Sequence, residues 1–134
     1  MTEPSEAPLL LLVEDDPLVS LAVEEFLTAA GFRIVAASSG QEAIDILAGD
    51  AFLSAVVTDV RLGTGPSGWD VAHRARELVP TIPVIYMTGD SASLWSAHGV
   101  PGSIVLQKPF VEAQLVTAIA TLLNQASTIG TMSS

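Results

Sequence analysis

"LLLLVEDDP" (residues 9–17) sets four leucines and a valine directly against three acids. Five apolar residues bounded by a turn signal read as a strand buried on both faces. Another apolar side chain would extend such a strand easily. This one stops instead at Glu14, Asp15 and Asp16, where neighbouring negative charges repel. Asp16 followed by Pro17 is an N-cap and first-turn pair, so a helix begins where the strand ends. The acids are therefore at the carboxyl end of a strand, either solvated there or gathered around something positive.

The same unit recurs along the chain. Short apolar runs at Ile34–Ala37, Ala55–Thr58, Pro83–Met87 and Ser103–Gln107, mostly rich in Val and Ile, read as further buried strands. Helical patterns separate them. Leu18, Leu21, Ala22 and Phe26 share a face, with Gly31 placed to end that helix. "SGQE" at 39–42 reads as a capping box before Ile44 and Leu47, with Gly49 as the stop. A third helix is predicted from Trp69 to Val79, ended by Pro80. "DSASLWSAHG" supports only a short fourth helix, while Val111 to Asn124 gives a long, apolar fifth. Five strands alternating with five helices predict an α/β fold, a parallel sheet wound on both sides by helices. Residues 1–8 read as a flexible leader, 9–124 as the single domain and 125–134 as a flexible tail.

Composition narrows the function. A chain of 134 residues, 49% apolar, suits one domain with a proper core. It contains no cysteine, which excludes disulfides and thiolate metal sites. The apolar runs are too short to cross a bilayer, and no secretion signal is visible, so a cytoplasmic protein is expected. Fifteen acids against five basic residues give a formal net charge of −10. Such a surface repels nucleic-acid phosphates and anionic membranes, so neither is expected as a partner.

In parallel sheets the functional crevice lies beyond the carboxyl ends of the strands. To that edge the first strand delivers Glu14, Asp15 and Asp16, the third Asp59, the fourth Thr88 and Gly89, and the fifth Lys108 and Pro109. Lys108 is the chain's only lysine. Clustered carboxylates need compensation, and two remedies suit them: a hard divalent cation and the Lys108 ammonium. Magnesium takes oxygen ligands, keeps several waters and is commonly held by one or two carboxylates with a phosphate. Metal, cation and nucleophilic oxygen are nearly all that phosphoryl transfer requires. Asp59, alone at the end of "AVVTD", is the natural nucleophile, since aspartate forms acyl phosphates.

Taken together, "VEDD" (13–16), "VVTD" ending at Asp59, "YMTG" with Thr88 and "QKPF" with Lys108 resemble the receiver domain of bacterial two-component response regulators. The resemblance covers about residues 9–124. It implies a flavodoxin-like sheet of strand order 2-1-3-4-5. It implies Asp15 as a direct magnesium ligand, Glu14 acting mostly through a bound water, and Arg61 lending its backbone carbonyl. Asp59 matches the phosphoacceptor and also touches the metal. Thr88 matches the hydroxyl that moves toward the phosphoryl group, and Lys108 the cation that grips it. The Lys108–Pro109 bond resembles the family's cis peptide, and Asp16 looks more like a helix cap than a ligand. The implied partners are a sensor histidine kinase or histidine phosphotransfer protein and a downstream protein, with Mg2+ as cofactor. The expected role is signalling by a single-domain receiver, without a DNA-binding output and without turnover beyond self-catalysed transfer and slow hydrolysis.

Some features depart from that pattern. Val105 stands where the family's switch aromatic falls, with Tyr86 and Trp95 as possible substitutes or plain core. "LGTGPSGWD" replaces the expected loop after Asp59, and within it Gly63, Gly65 and Gly68 spell G-x-G-x-x-G. A dinucleotide site would use that motif after the first strand, whose turn here is three acids, so loop geometry is the reading. Phosphatases that also phosphorylate an aspartate place a second acid two residues on, where this chain has Arg61. His73 and His98 lack ligand spacing and read as surface or packing residues. Arg61 and Asp90, each two residues past a site residue, are candidates for an ion pair that lids the site. The apolar surface of the last helix allows a homodimer through the last helices. Two other functions remain open at this point: a phosphorylation-independent binding module, and a small-molecule phosphatase working through an aspartyl phosphate.

Overall fold

Leu9–Val13 forms β1 and Pro17–Ala29 forms α1 in the computed structural model, which describes residues 7–132. Residues 1–6 of the expected leader and 133–134 of the expected tail lie outside the described residues. β2 (Arg33–Ala37), α2 (Gly40–Leu47), β3 (Ala55–Asp59), α3 (Gly68–Leu78) and β4 (Val84–Thr88) follow. A 3-10 turn at Ala92–Leu94 runs into the four-residue α4 (Trp95–His98), then β5 (Ile104–Gln107) and α5 (Glu112–Met132). The five strands found among the described residues are all parallel, in the order β2-β1-β3-β4-β5.

Strand periodicity splits the core in two. Leu11, Val13, Val56, Val84 and Tyr86 face the α2 and α3 side, while Leu10, Leu12, Val57, Ile85 and Met87 face α1 and α5. β1 and β4 are buried almost throughout, as an apolar run predicts. The edge strands differ from the expectation of burial on both faces. β2 and β5 are largely half-exposed, because each pairs on one side only and α4 is too short to cover β5. Each fully buried leucine of β1 contributes about 1.5–3 kcal/mol, and truncation to alanine would cost about 2–5 kcal/mol.

Local signals set most boundaries. The Asp16 carboxylate accepts from the Leu18 and Val19 amides at 2.9 and 3.3 Å, capping α1. Gly31, at φ 102°, takes the left-handed turn beyond that helix. The predicted capping box at 39–42 is only half formed. Ser39 accepts from the Glu42 amide, but the Glu42 carboxylate reaches Ser38 instead, at 2.7 Å to its amide. A complete box lies elsewhere, between Ser67 and Asp70 at the start of α3. α5 also runs longer than its apolar stretch suggested, to Met132 rather than Asn124. No proline interrupts the chain there, and extending an existing helix is far easier than nucleating one.

Two glycines are required by close approach. A Cβ on Gly40 would meet the Pro66 carbonyl oxygen at 2.1 Å, and one on Gly68 would meet the Asp59 carbonyl oxygen at 2.1 Å. The loop between β3 and α3 is thus pressed against the start of α2 and against the end of its own strand. Among the described residues, no helix is long and apolar enough to cross a membrane.

Candidate functional site

Parallel strands in register bring their carboxyl ends to one edge. Val13 pairs with Thr58, Asp59 with Met87, and Thr88 with Gln107. Glu14, Asp15, Asp59, Thr88 and Lys108 therefore leave four strands at the same rim. One carboxylate oxygen each from Glu14, Asp15 and Asp59 lies within 4.8 Å of the others. Lys108 Nζ is 3.2 Å from Asp59 Oδ2 and 3.3 Å from Glu14 Oε1. The Lys108 amide donates to the Thr88 carbonyl at 2.7 Å, tying that residue to the strand carrying the hydroxyl. The Lys108–Pro109 peptide is cis.

The electrostatics are those of a site short of positive charge. Glu14 is almost fully buried, with its side chain 2% exposed. Burial pushes its carboxyl up to about 7, and the Asp59 charge adds to the rise. The Asp16 amide, which donates to Glu14 Oε2 at 3.2 Å, and the Lys108 ammonium oppose it. Burial by itself would lower the Lys108 pKa, but attraction to Asp59 and Glu14 prevails and raises it. The three converging carboxylates supply the hard oxygen ligands magnesium prefers. Asp16 is outside this cluster and serves as the cap of α1.

Thr88 is buried, and its Oγ1 accepts from the Ser91 amide at 2.8 Å and the Asp90 amide at 3.3 Å. With both lone-pair directions engaged, the hydroxyl hydrogen is left to donate. Asp90 Oδ2 pairs with Arg61 Nε at 2.8 Å, so the expected ion pair forms and bridges the exits of β3 and β4. Ser91 was not anticipated. Its signal in the sequence is only the fourth residue of "TGDS", which carries no meaning until the turn is seen.

Other candidates fall outside the rim. The His73 Nε2 lies 2.9 Å from the His98 carbonyl, and the His98 ring lies 5.9 Å from Trp69, so both histidines pack α3 against α4. The Trp69 ring lies 4.6 Å from that of Tyr86, a fully buried residue of β4, with the two planes tilted by 57°. The Tyr86 hydroxyl accepts from the Val100 amide, and Trp95 donates to Ser103 Oγ. Gly63 and Gly65 both have positive φ, 76° and 88°, as tight loop geometry requires. On α5, Leu115, Ala118, Ile119 and Leu122 are buried in the domain's own core, while Val111 ahead of the helix is exposed.

Comparison with known proteins points the same way. Residues 10–120 match the sequence pattern of the response regulator receiver domain. A response regulator receiver protein from Sinorhizobium medicae is 46% identical, with a TM-score of 0.89 over 90% of this chain and 98% of that one. The transcriptional regulatory protein CrdR of Helicobacter pylori is 31% identical over 86% of this chain and 54% of its own length. The fold is shared with the receiver domain of a Pseudomonas aeruginosa sensor histidine kinase, solved with magnesium coordinated in its active-site cleft. That domain is 22% identical, with a TM-score of 0.76 over 88% of this chain and 98% of its own. The chain spans about half the length of several curated relatives it matches. Those relatives include transcriptional regulators, so the expectation of no nucleic-acid partner finds no support in them.

Proposed function

This chain belongs to the response regulator receiver domain family, a signalling family of two-component systems, and on that premise we propose that it is phosphorylated on Asp59. The donor is the phosphohistidine of a sensor histidine kinase or a phosphotransfer protein. An Asp59 oxygen bonds to phosphorus as the bond to the donor imidazole nitrogen breaks, and the electron pair leaves with the imidazole. The observation that carries this reading is the 3.2 Å contact between Lys108 Nζ and Asp59 Oδ2 beside two further carboxylates.

Each residue has a distinct task. Glu14, Asp15, Asp59 and the Arg61 carbonyl would hold magnesium, which would neutralise charge on the transferred phosphoryl oxygens. Lys108, now paired with Asp59 and Glu14, grips a phosphoryl oxygen once Asp59 carries the acyl phosphate. Thr88 donates its hydroxyl to another. Arg61 and Asp90 span the mouth of the site and restrict water. A partner protein then reads the altered surface, and a second copy meeting α5 remains one form that partner can take. The acidic surface of this domain is itself unsuited to nucleic-acid phosphates. A phosphatase reading is disfavoured because Arg61, paired to Asp90, stands where a second acid would be needed.

Intact mass after incubation with a small phosphodonor and magnesium tests the assignment. Wild type should gain one phosphoryl group and Asp59→Asn none. A gain in both proteins would identify another acceptor and end this reading.

A further inference from the structure

Ser91 is buried, and both of its polar hydrogens are engaged at the exit of β4. Its amide donates to Thr88 Oγ1 at 2.8 Å, and its hydroxyl donates to Asp90 Oδ1 at 2.9 Å. Asp90 in turn accepts from Arg61 Nε, at 3.0 Å to Oδ1 and 2.8 Å to Oδ2. The Arg61 and Asp90 side chains are 75% and 56% exposed. Left to themselves, such partners hold one geometry poorly, because water screens the charges and two mobile side chains lose entropy on pairing. A buried hydroxyl fixed to one carboxylate oxygen removes that freedom from the Asp90 side. The carboxylate is then oriented by the same turn that orients Thr88.

We propose that Ser91 is a positioning residue for the lifetime of the phosphoryl group. Its hydroxyl holds the Asp90 carboxylate so that Arg61 stays across the gap between the β3 and β4 exits and slows the approach of water to phosphorylated Asp59. This rests on the reading of Asp59 as the phosphoacceptor. In the step it controls, a water oxygen bonds to phosphorus as the bond from phosphorus to the Asp59 oxygen breaks. The carboxylate keeps the electron pair, and the proton of water goes to the released phosphate or to solvent. Ser91 touches none of these atoms and acts only through Asp90 and Arg61.

The test follows loss of the phosphoryl group by intact mass, after loading from a small phosphodonor with magnesium and removal of the donor. Ser91→Ala should lose it roughly two- to fivefold faster than wild type, the scale of an exposed ion pair set free. Asp90→Ala and Arg61→Ala should accelerate loss equally, and Ser91→Ala combined with Arg61→Ala should be no faster than either alone. Ser91→Thr, which keeps the hydroxyl, should restore the wild-type lifetime. A general loosening of the fold would produce neither the non-additivity nor the rescue. A Ser91→Ala lifetime equal to wild type, or additive effects in the double variant, would overturn the proposal and leave the Asp59 assignment intact. No phosphoryl gain by wild type would overturn both.

Discussion

Tyr86 and Val105 face each other as direct partners across β4 and β5. Tyr86 is fully buried, with its ring 4.6 Å from that of Trp69 and tilted against it. Its hydroxyl is the acceptor for the buried Val100 amide at 3.1 Å. Tyr86→Phe keeps the ring and strands that amide, at a cost of about 1–3 kcal/mol. Thermal unfolding should show a midpoint several degrees below wild type. An unchanged midpoint would mean that the Val100 contact contributes nothing.

Lys108 competes with any divalent ion for the same carboxylates. Its ammonium is already within 3.3 Å of both Glu14 and Asp59. Lys108→Met removes that positive charge, so magnesium affinity should rise severalfold by calorimetric titration. On the role proposed for Lys108, uptake of phosphoryl from a small donor should fall in the same variant. A lower magnesium affinity would contradict this account.

Glu14 makes the stability of the metal-free protein depend on pH. Its carboxyl is raised from 4.5 to about 7, chiefly by burial. Between those values the folded protein holds a proton that the unfolded chain has released. The stability from neutral Glu14 is therefore complete below about pH 4.5 and is lost as the pH rises toward about 7. Lys108, raised above its ordinary 10.5, stays charged throughout this window. Glu42 and Asp90, both lowered, lose their contributions only at more acid pH. Thermal midpoints in chelator should fall across the window, and Glu14→Gln should remove that slope. Equal slopes in the two proteins would assign it to other groups.

Gly40 and Gly68 allow the loop after Asp59 to lie where it does. A methyl at either would sit 2.1 Å from a backbone oxygen, of Pro66 or of Asp59. Backbone has to shift, at a cost of about 1–3 kcal/mol or more. Gly68→Ala should also weaken magnesium binding, because the displaced carbonyl belongs to Asp59 itself. Gly40→Ala should act mainly on stability. Thermal unfolding with magnesium titration separates the two, and wild-type values for both would refute the close packing.

Much of this was legible from short stretches. "LLLLV" is a strand because five apolar residues need cover on both faces, and Asp16-Pro17 starts a helix through a contact with the very next residues. The four strand-end motifs were enough to bring Asp15, Asp59, Thr88 and Lys108 to one rim, since parallel strands share an exit edge. Less visible were the half-exposure of β2 and β5, the choice of Ser38 by Glu42, and the extension of α5 to Met132. Each depends on what neighbouring elements leave uncovered or within reach, which propensity does not encode.

Local chemistry alone thus determined the alternation of strands and helices, the acids at the end of β1 and the solitary lysine after β5. Tertiary structure alone decided that Tyr86 would face Val105, that Ser91 would join Thr88 to Asp90, and that Lys108 would lie between Glu14 and Asp59. The difference is one of distance along the chain. Caps and periodicities act over a few residues, whereas the Lys108–Glu14 contact spans 94 positions and exists only once the sheet has closed its register.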